Sequence, residues 1–183
     1  MPLIYTPEKI AIGALLPEFQ LTATNGKSYG KKDFLNGKPL LVMFICNHCP
    51  YVKVIEDRLI TLGNDFKKHE INLVAICSND ELSYPDDSFE NLRKRAEEKN
   101  YPFVYLHDST QSVAKTFGAV CTPDFYLYDS QAMLAYRGRL DDSWKEPAQV
   151  TKRELYSAAL ELLHGKKISA QQTPSMGCSI KWI

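Results

Sequence analysis

The chain has 183 residues, 44% of them apolar and 24% charged, and its 22 basic side chains balance its 22 acidic ones. That length fits one domain with a sizeable core. A zero formal charge leaves no electrostatic footprint for nucleic acid or an anionic membrane surface.

The opening MPLIYTPEKIAIGALLPEF lacks the basic segment and unbroken apolar run of a secretory signal. The longest apolar runs have strand length, well short of a membrane span. A soluble, cytoplasmic protein without a nucleic-acid or membrane partner is expected. In chain order, residues 18–22 and 26–29 flank Thr24-Asn25-Gly26, which predicts an N-terminal β-hairpin. The run PLLVMFIC at 39–46 predicts a strand buried on both faces. A long helix follows from Pro50, with Val52, Ile55, Leu59, Leu62 and Phe66 as its apolar stripe. INLVAIC at 71–77 predicts a second buried strand. A helix over 88–99 comes next, with Asp87 and Glu90 as its capping box. A strand at 103–106 and a short helix at 112–117 precede paired strands at 125–128 and 133–136. Thr151 is the expected cap of a last helix running to His164. The domain is expected to span 1–165, and 166–183 to be a polar tail that folds back through Ile180, Trp182 and Ile183. Alternating strands and helices predict an α/β sandwich with a mixed central sheet flanked by helices.

Five cysteines, Cys46, Cys49, Cys77, Cys121 and Cys178, are an odd number, which argues against a disulfide scaffold. In FICNHCPYV, Cys46 and Cys49 form a C-x-x-C pair at the carboxyl end of the first buried strand, where α/β sheets build their sites. Proline favours the first helical position, so Pro50 puts Cys49 at or beside the helix N-cap. There the helix dipole and free N–H groups favour the thiolate, the species that attacks disulfides and peroxides. Half-ionising a thiol at about pH 7 takes about 2 kcal/mol. An exposed helix end supplies roughly 0.3–1 kcal/mol, and a protonated His48 is the expected source of part of the remainder. Cys49 is the candidate nucleophile. Cys46 also reads as a packing residue at a strand end, Cys77 as core, and His48 as a surface loop histidine.

Laid without a gap against the thioredoxin motif, PLLVMFICNHCPYVKVI resembles that superfamily's strand, active-site turn and first helix. Cys49 falls on the first motif cysteine and Val52 on the second, and Cys49-Pro50-Tyr51 resembles the glutaredoxin C-P-Y-C turn. The N-terminal pattern Pro17-x-Phe19-x-Leu21 with Gly26-Lys27 resembles the peroxiredoxin-like branch, the alkyl hydroperoxide reductase and thiol-specific antioxidant family. C-N-H-C-P-Y, C-T-P-D and G-C-S-I-K-W all resemble the motifs of one thioredoxin-like subgroup there. The resemblance covers nearly the whole chain and implies a thioredoxin-like three-layer sandwich. It also implies that Thr122-Pro123 is a cis-proline loop facing Cys49, with Thr122, Pro123, Pro50 and Tyr51 as substrate-binding residues. Two departures stand out. Met43 replaces the buried acid of thioredoxins. Peroxiredoxins put their reactive cysteine where Val52 stands, and their distal arginine has only Arg137 and Arg139 as candidates.

The expected function is that of a thiol–disulfide oxidoreductase, or a weak thiol peroxidase. Its partners are a disulfide or peroxide substrate and a thiol reductant, and no cofactor or metal is expected. Cys49 then needs a resolving thiol. The candidates, in expected order, are Cys121, Cys178, Cys46 and an external thiol. Two other readings stay open: a redox-silent interaction module, and a zinc or copper protein using Cys46, His48, Cys49 and Cys121.

Overall fold

The computed structural model describes residues 3–5, 10–169 and 171–183. Its first half runs β1 (Leu3–Tyr5), β2 (Gln20–Ala23), β3 (Ser28–Gly30), the single turn α1 (Lys31–Phe34), β4 (Leu40–Phe44), α2 (Pro50–Lys68), β5 (Asn72–Cys77) and α3 (Phe89–Glu98). Its second half runs β6 (Val104–His107), α4 (Ser112–Phe117), β7 (Cys121–Thr122), β8 (Asp124–Tyr128), β9 (Leu134–Arg137), α5 (Glu154–Leu163) and β10 (Met176–Ser179). The main sheet has the order β3-β2-β6-β5-β4-β8-β9. It is parallel at β4–β5 and β5–β6 and antiparallel elsewhere. A small second sheet, β1-β10-β7, joins the two ends of the chain to the segment just before Pro123.

Strand β4 explains the layering. Its side chains alternate between faces, and all five residues are fully buried. Leu41 and Met43 pack with the α2 stripe Val52, Ile55, Leu59, Leu62 and Phe66, and with Leu155 and Ala158 of α5. Leu40, Val42 and Phe44 pack with Phe34 of α1, Val113 and Phe117 of α4, and Leu134. Helices thus cover both faces, giving the three-layer α/β sandwich.

The N-terminal hairpin forms with Leu21 opposite Tyr29, and Gly26 takes the positive φ of 79° that its turn demands. Three expectations are corrected. Asp87 does not cap α3. Ser88 is the N-cap, Glu90 pairs with Arg93 at 2.5 Å, and the Asp87 carboxylate turns to the 47–48 turn instead, where backbone and side-chain donors converge on it. The last helix starts at Glu154, not Thr151, because the Thr151 N–H and hydroxyl both bind the Asp142 carboxylate. In the tail, Ile180 is buried, but Trp182 is 41% exposed and Ile183 83% exposed. The last residues are held by main-chain hydrogen bonds rather than by apolar burial.

The second core layer turns on Phe117, whose ring lies 5.4 Å from Phe44, 5.6 Å from Tyr126 and 6.2 Å from Phe19. Phe117→Ala should cost about 3–5 kcal/mol of stability. Urea unfolding should show this as a lower midpoint with an unchanged slope.

Candidate active site

The β4 strand ends at Phe44, and Ile45 makes one further bond across to Ile76 O before the chain turns. Cys49 is the N-cap of α2, with extended backbone (φ −68°, ψ 122°), and Pro50 occupies the first helical position. The residue types explain the turn: the apolar strand stops, and proline starts the helix without wasting an N–H. The Cys49 side chain is fully buried, as is Cys178, and Cys46 is 2% exposed.

Five groups converge on the Cys49 sulfur. Hydrogen bonding from the Cys46 thiol lowers its pKa most. Burial opposes this, and the Cys178 thiol and the N–H groups of Val52 and Cys178 add to the lowering, bringing it to about 5. The Thr122 carbonyl, 3.3 Å away, accepts from the thiol form and works the other way. Two thiol donors and a helix N-terminus outweigh one carbonyl. The neighbours move oppositely. Burial, then donation to Cys49, pushes Cys46 well up and Cys178 up to about 12. One sulfur is the anion and two are its donors. Cys77 is fully buried and raised by that burial, an inert core thiol.

Thr122 organises this cluster. Its carbonyl meets Cys49, its hydroxyl lies 3.2 Å from the Cys46 sulfur, and its backbone pairs in register with Cys178. The Thr122–Pro123 peptide is cis. Cys121 sits one residue earlier on β7, so its side chain leaves the opposite face. Its sulfur lies 3.9 Å from Pro123 O. Cys46 and Cys178 lie near enough to Cys49 to shift its ionisation, whereas the expected first choice, Cys121, is directed to Pro123.

His48 does not serve as the cation for Cys49. Its Nδ1 lies 2.5 Å from Asp87 Oδ2, and its ring stacks on Tyr84 at 4.8 Å. Asp87, fully buried, also accepts from Asn47 N (2.6 Å), His48 N (3.2 Å) and Asn79 Nδ2 (2.8 Å). Burial alone would raise this carboxyl, but the bonds from His48 and Asn79 prevail and hold it below the ordinary range. His48 Nε2 is buried with no hydrogen-bond partner among the described residues. Asp87, Asn79 and Thr122's organising role escaped the sequence reading. Only the cluster Ser78-Asn79-Asp80 after a buried strand, at a sheet edge, hinted at the first two. Cys46 Sγ, a His48 ring nitrogen and an Asp87 oxygen lie within 4.8 Å of one another. A metal there would have to displace donors that already occupy both Asp87 oxygens, so the donor set fits an ion poorly.

The Tyr51 ring lies 4.8 Å from that of Trp144, tilted by 40°, and with Ile55, Pro123, Phe125 and Met176 walls a cleft of about 340 Å³. Pro50 is exposed at the helix start. Neither candidate arginine serves the sulfur. Arg137 binds Asp124 and Tyr126, and Arg139 binds Glu154 at 2.6 Å.

A family model described as AhpC/TSA family matches residues 12–137, a span that contains Cys46, Cys49 and the Thr122-Pro123 loop. The chain belongs to the AhpC/TSA family. An uncharacterized conserved protein from Geobacillus kaustophilus is 42% identical, with a TM-score of 0.94, covering 100% of this chain and 97% of that one. The thioredoxin domain of a thiol-disulfide oxidoreductase from Bacteroides vulgatus superposes with a TM-score of 0.59 at 21% identity, covering 70% of this chain and 89% of that one. It shares the fold, which is thioredoxin-like. The thiol:disulfide interchange protein DsbE of Tatumella citrea is 24% identical over 147 residues, 78% of this chain and 74% of that protein. The AhpC/TSA match ends before β10, so Cys178 lies beyond it.

The Cys49 thiol lies below its unfolded value of about 8.5. Its contribution to stability is therefore present above that value and lost as the pH falls through about 5. Ultraviolet thiolate absorbance of the reduced protein should titrate with one thiol's amplitude and a midpoint near 5. Cys46→Ala should move that midpoint upward. A midpoint already at the free-cysteine value in the wild type would contradict the geometry.

Proposed function

We propose that the protein is a thiol–disulfide oxidoreductase whose attacking group is the Cys49 thiolate. The observation that carries this reading is the Cys49 sulfur at a helix N-terminus between two thiol donors, beside a cis-proline loop. Membership of a family of thiol oxidoreductases and peroxidases, and likeness to a protein named for thiol:disulfide interchange, support it.

In the first step Cys49 S⁻ attacks one sulfur of a substrate disulfide. A Cys49–substrate bond forms, the substrate S–S bond breaks, and the departing thiolate takes a proton. In the second, Cys46 or Cys178 loses its proton, attacks the Cys49 sulfur and expels the other substrate thiol. The protein ends with one disulfide and the substrate with two thiols, and a thiol reductant reverses the change. The arrangement times the second step. Both donors are held protonated in part by the Cys49 charge. Forming the mixed disulfide removes that charge, so each becomes easier to ionise when it is needed. Asp87 and His48 hold the 47–48 turn that leads into Cys49. A reducing compartment, the cytoplasm, is part of the proposal on the strength of the odd cysteine count. A peroxidase reading gains nothing from Arg137 or Arg139, both committed to carboxylates.

Reduction of a fluorescent disulfide peptide tests the proposal. Cys49→Ser should fall to background, and whichever of Cys46→Ser and Cys178→Ser accumulates a mixed disulfide marks the resolving thiol. Equal rates for wild type and Cys49→Ser would end the enzyme reading.

A further inference from the structure

Attack on an external disulfide needs an exposed sulfur, yet Cys49 is fully buried. Strand β10 packs against both α2 and β7, setting Cys178 opposite Thr122 and against Cys49. The fit is made by the absence of a side chain. A Cβ on Gly177 would stand 2.0 Å from Thr122 O and 2.6 Å from Thr122 C.

The segment is fastened on either side of the thiols. Before them, Ser175 Oγ donates to Pro123 O at 2.8 Å. After them come two main-chain bonds, Ile180 N to Val120 O (2.9 Å) and Asp80 N to Lys181 O (2.8 Å), and one to a side chain, Lys181 N to Asn79 Oδ1 (2.8 Å). Gln111, fully buried, closes the clamp by donating to Lys181 O at 2.7 Å and accepting from Ile183 N at 2.9 Å. Most of these bonds run between the main chain and one of three side chains, Ser175, Asn79 and Gln111, and the segment's far edge is paired only with β1, so it can part from β7 locally while the seven-stranded sheet stays folded.

We infer that residues 175–183 form a gate over Cys49, and that external disulfides reach the sulfur only while this strap is lifted from β7. Two couplings make it more than a cover. Lifting β10 removes one of the two thiol donors from Cys49. The freed sulfur is then more basic and, as nucleophilicity rises with basicity, a better attacker. Asn79 joins the strap to the acid beneath the turn: its Oδ1 holds Lys181 N while its Nδ2 holds Asp87. Docking of the strap and setting of the His48–Asp87 pair share one side chain.

The inference rests on Cys49 as the reactive thiol, but its test needs no turnover. The alkylation rate of Cys49 by iodoacetamide, read by peptide mass spectrometry at a pH where the thiolate is complete, reports how often the sulfur is exposed and how nucleophilic it is once free, and both rise when the strap lifts. Gly177→Ala pushes β10 away from Thr122. Gln111→Ala removes two strap hydrogen bonds at a distance from the thiols. Each should speed alkylation of Cys49 on the order of tenfold or more, and Gly177→Ala should also raise the thiolate titration midpoint. Unchanged alkylation in both variants, or a wild-type rate already equal to that of a free thiolate, would overturn the gate. Loss of peptide reduction in Cys49→Ser with no change in these alkylation rates would leave the enzyme reading standing and remove only the gate.

Discussion

Everything about the site depends on Thr122, which presents three different groups to three different cysteines. Its carbonyl takes the Cys49 thiol, its hydroxyl sits on Cys46, and its main chain pairs with Cys178. The residues that meet there come from positions 46, 49, 122 and 178, so the cluster exists only once β4, β7 and β10 are in place. The cis peptide to Pro123 leads directly from this residue into β8, the antiparallel neighbour of β4. The loop is thereby fixed to the same central strand that delivers the C-x-x-C turn. Geometry of this kind is set by the sheet rather than by flexible side chains, as preorganised sites require.

The electrostatics follow from the same packing. A buried thiolate is costly unless donors reach it. Helix position alone falls short of the roughly 2 kcal/mol that half-ionisation near neutrality needs. The shortfall is met by neighbouring thiols, not by a cation. Burial raises Cys46 and Cys178, keeping them protonated and able to donate, so their desolvation serves the ionisation of Cys49. His48, the obvious cation in sequence, is bound to a carboxylate of its own.

What was legible in the sequence is what periodicity and proline can say. The two-face burial of β4, the α2 stripe ending at Phe66, the N-cap at Cys49 and the Thr24-Asn25-Gly26 hairpin all stand as read. Each is a local pattern whose cause lies within a few residues. The misreadings share the opposite character. Asp87 was assigned to its own helix because capping is local, while its real partners lie some forty residues earlier in the 47–48 turn. The choice between Cys121 and Cys46 as partner of Cys49 turns on the same long-range geometry: adjacency to Pro123 is visible in the sequence, whereas side-chain alternation within a two-residue strand is not. The tail's polar composition hid a strand, since β10 is only four residues long and carries a glycine whose purpose is contact with another segment.

A thiolate buried behind its own chain poses a physical question that an open dithiol does not. Stabilisation and reactivity pull in opposite directions, because every donor that lowers a thiol's pKa also lowers its nucleophilicity. A fixed set of donors must settle on one compromise. Here one donor, Cys46, is on the turn that bears Cys49, and the other, Cys178, is on the middle strand of the small sheet, outside the seven-stranded one. Only the second can depart without moving the strand and helix that carry Cys49, β4 and α2. Placing one donor on a removable element lets the sulfur be ionised while sealed and become more nucleophilic as it is exposed. The glycine at 177 is what makes the sealed state close enough for that donor to act.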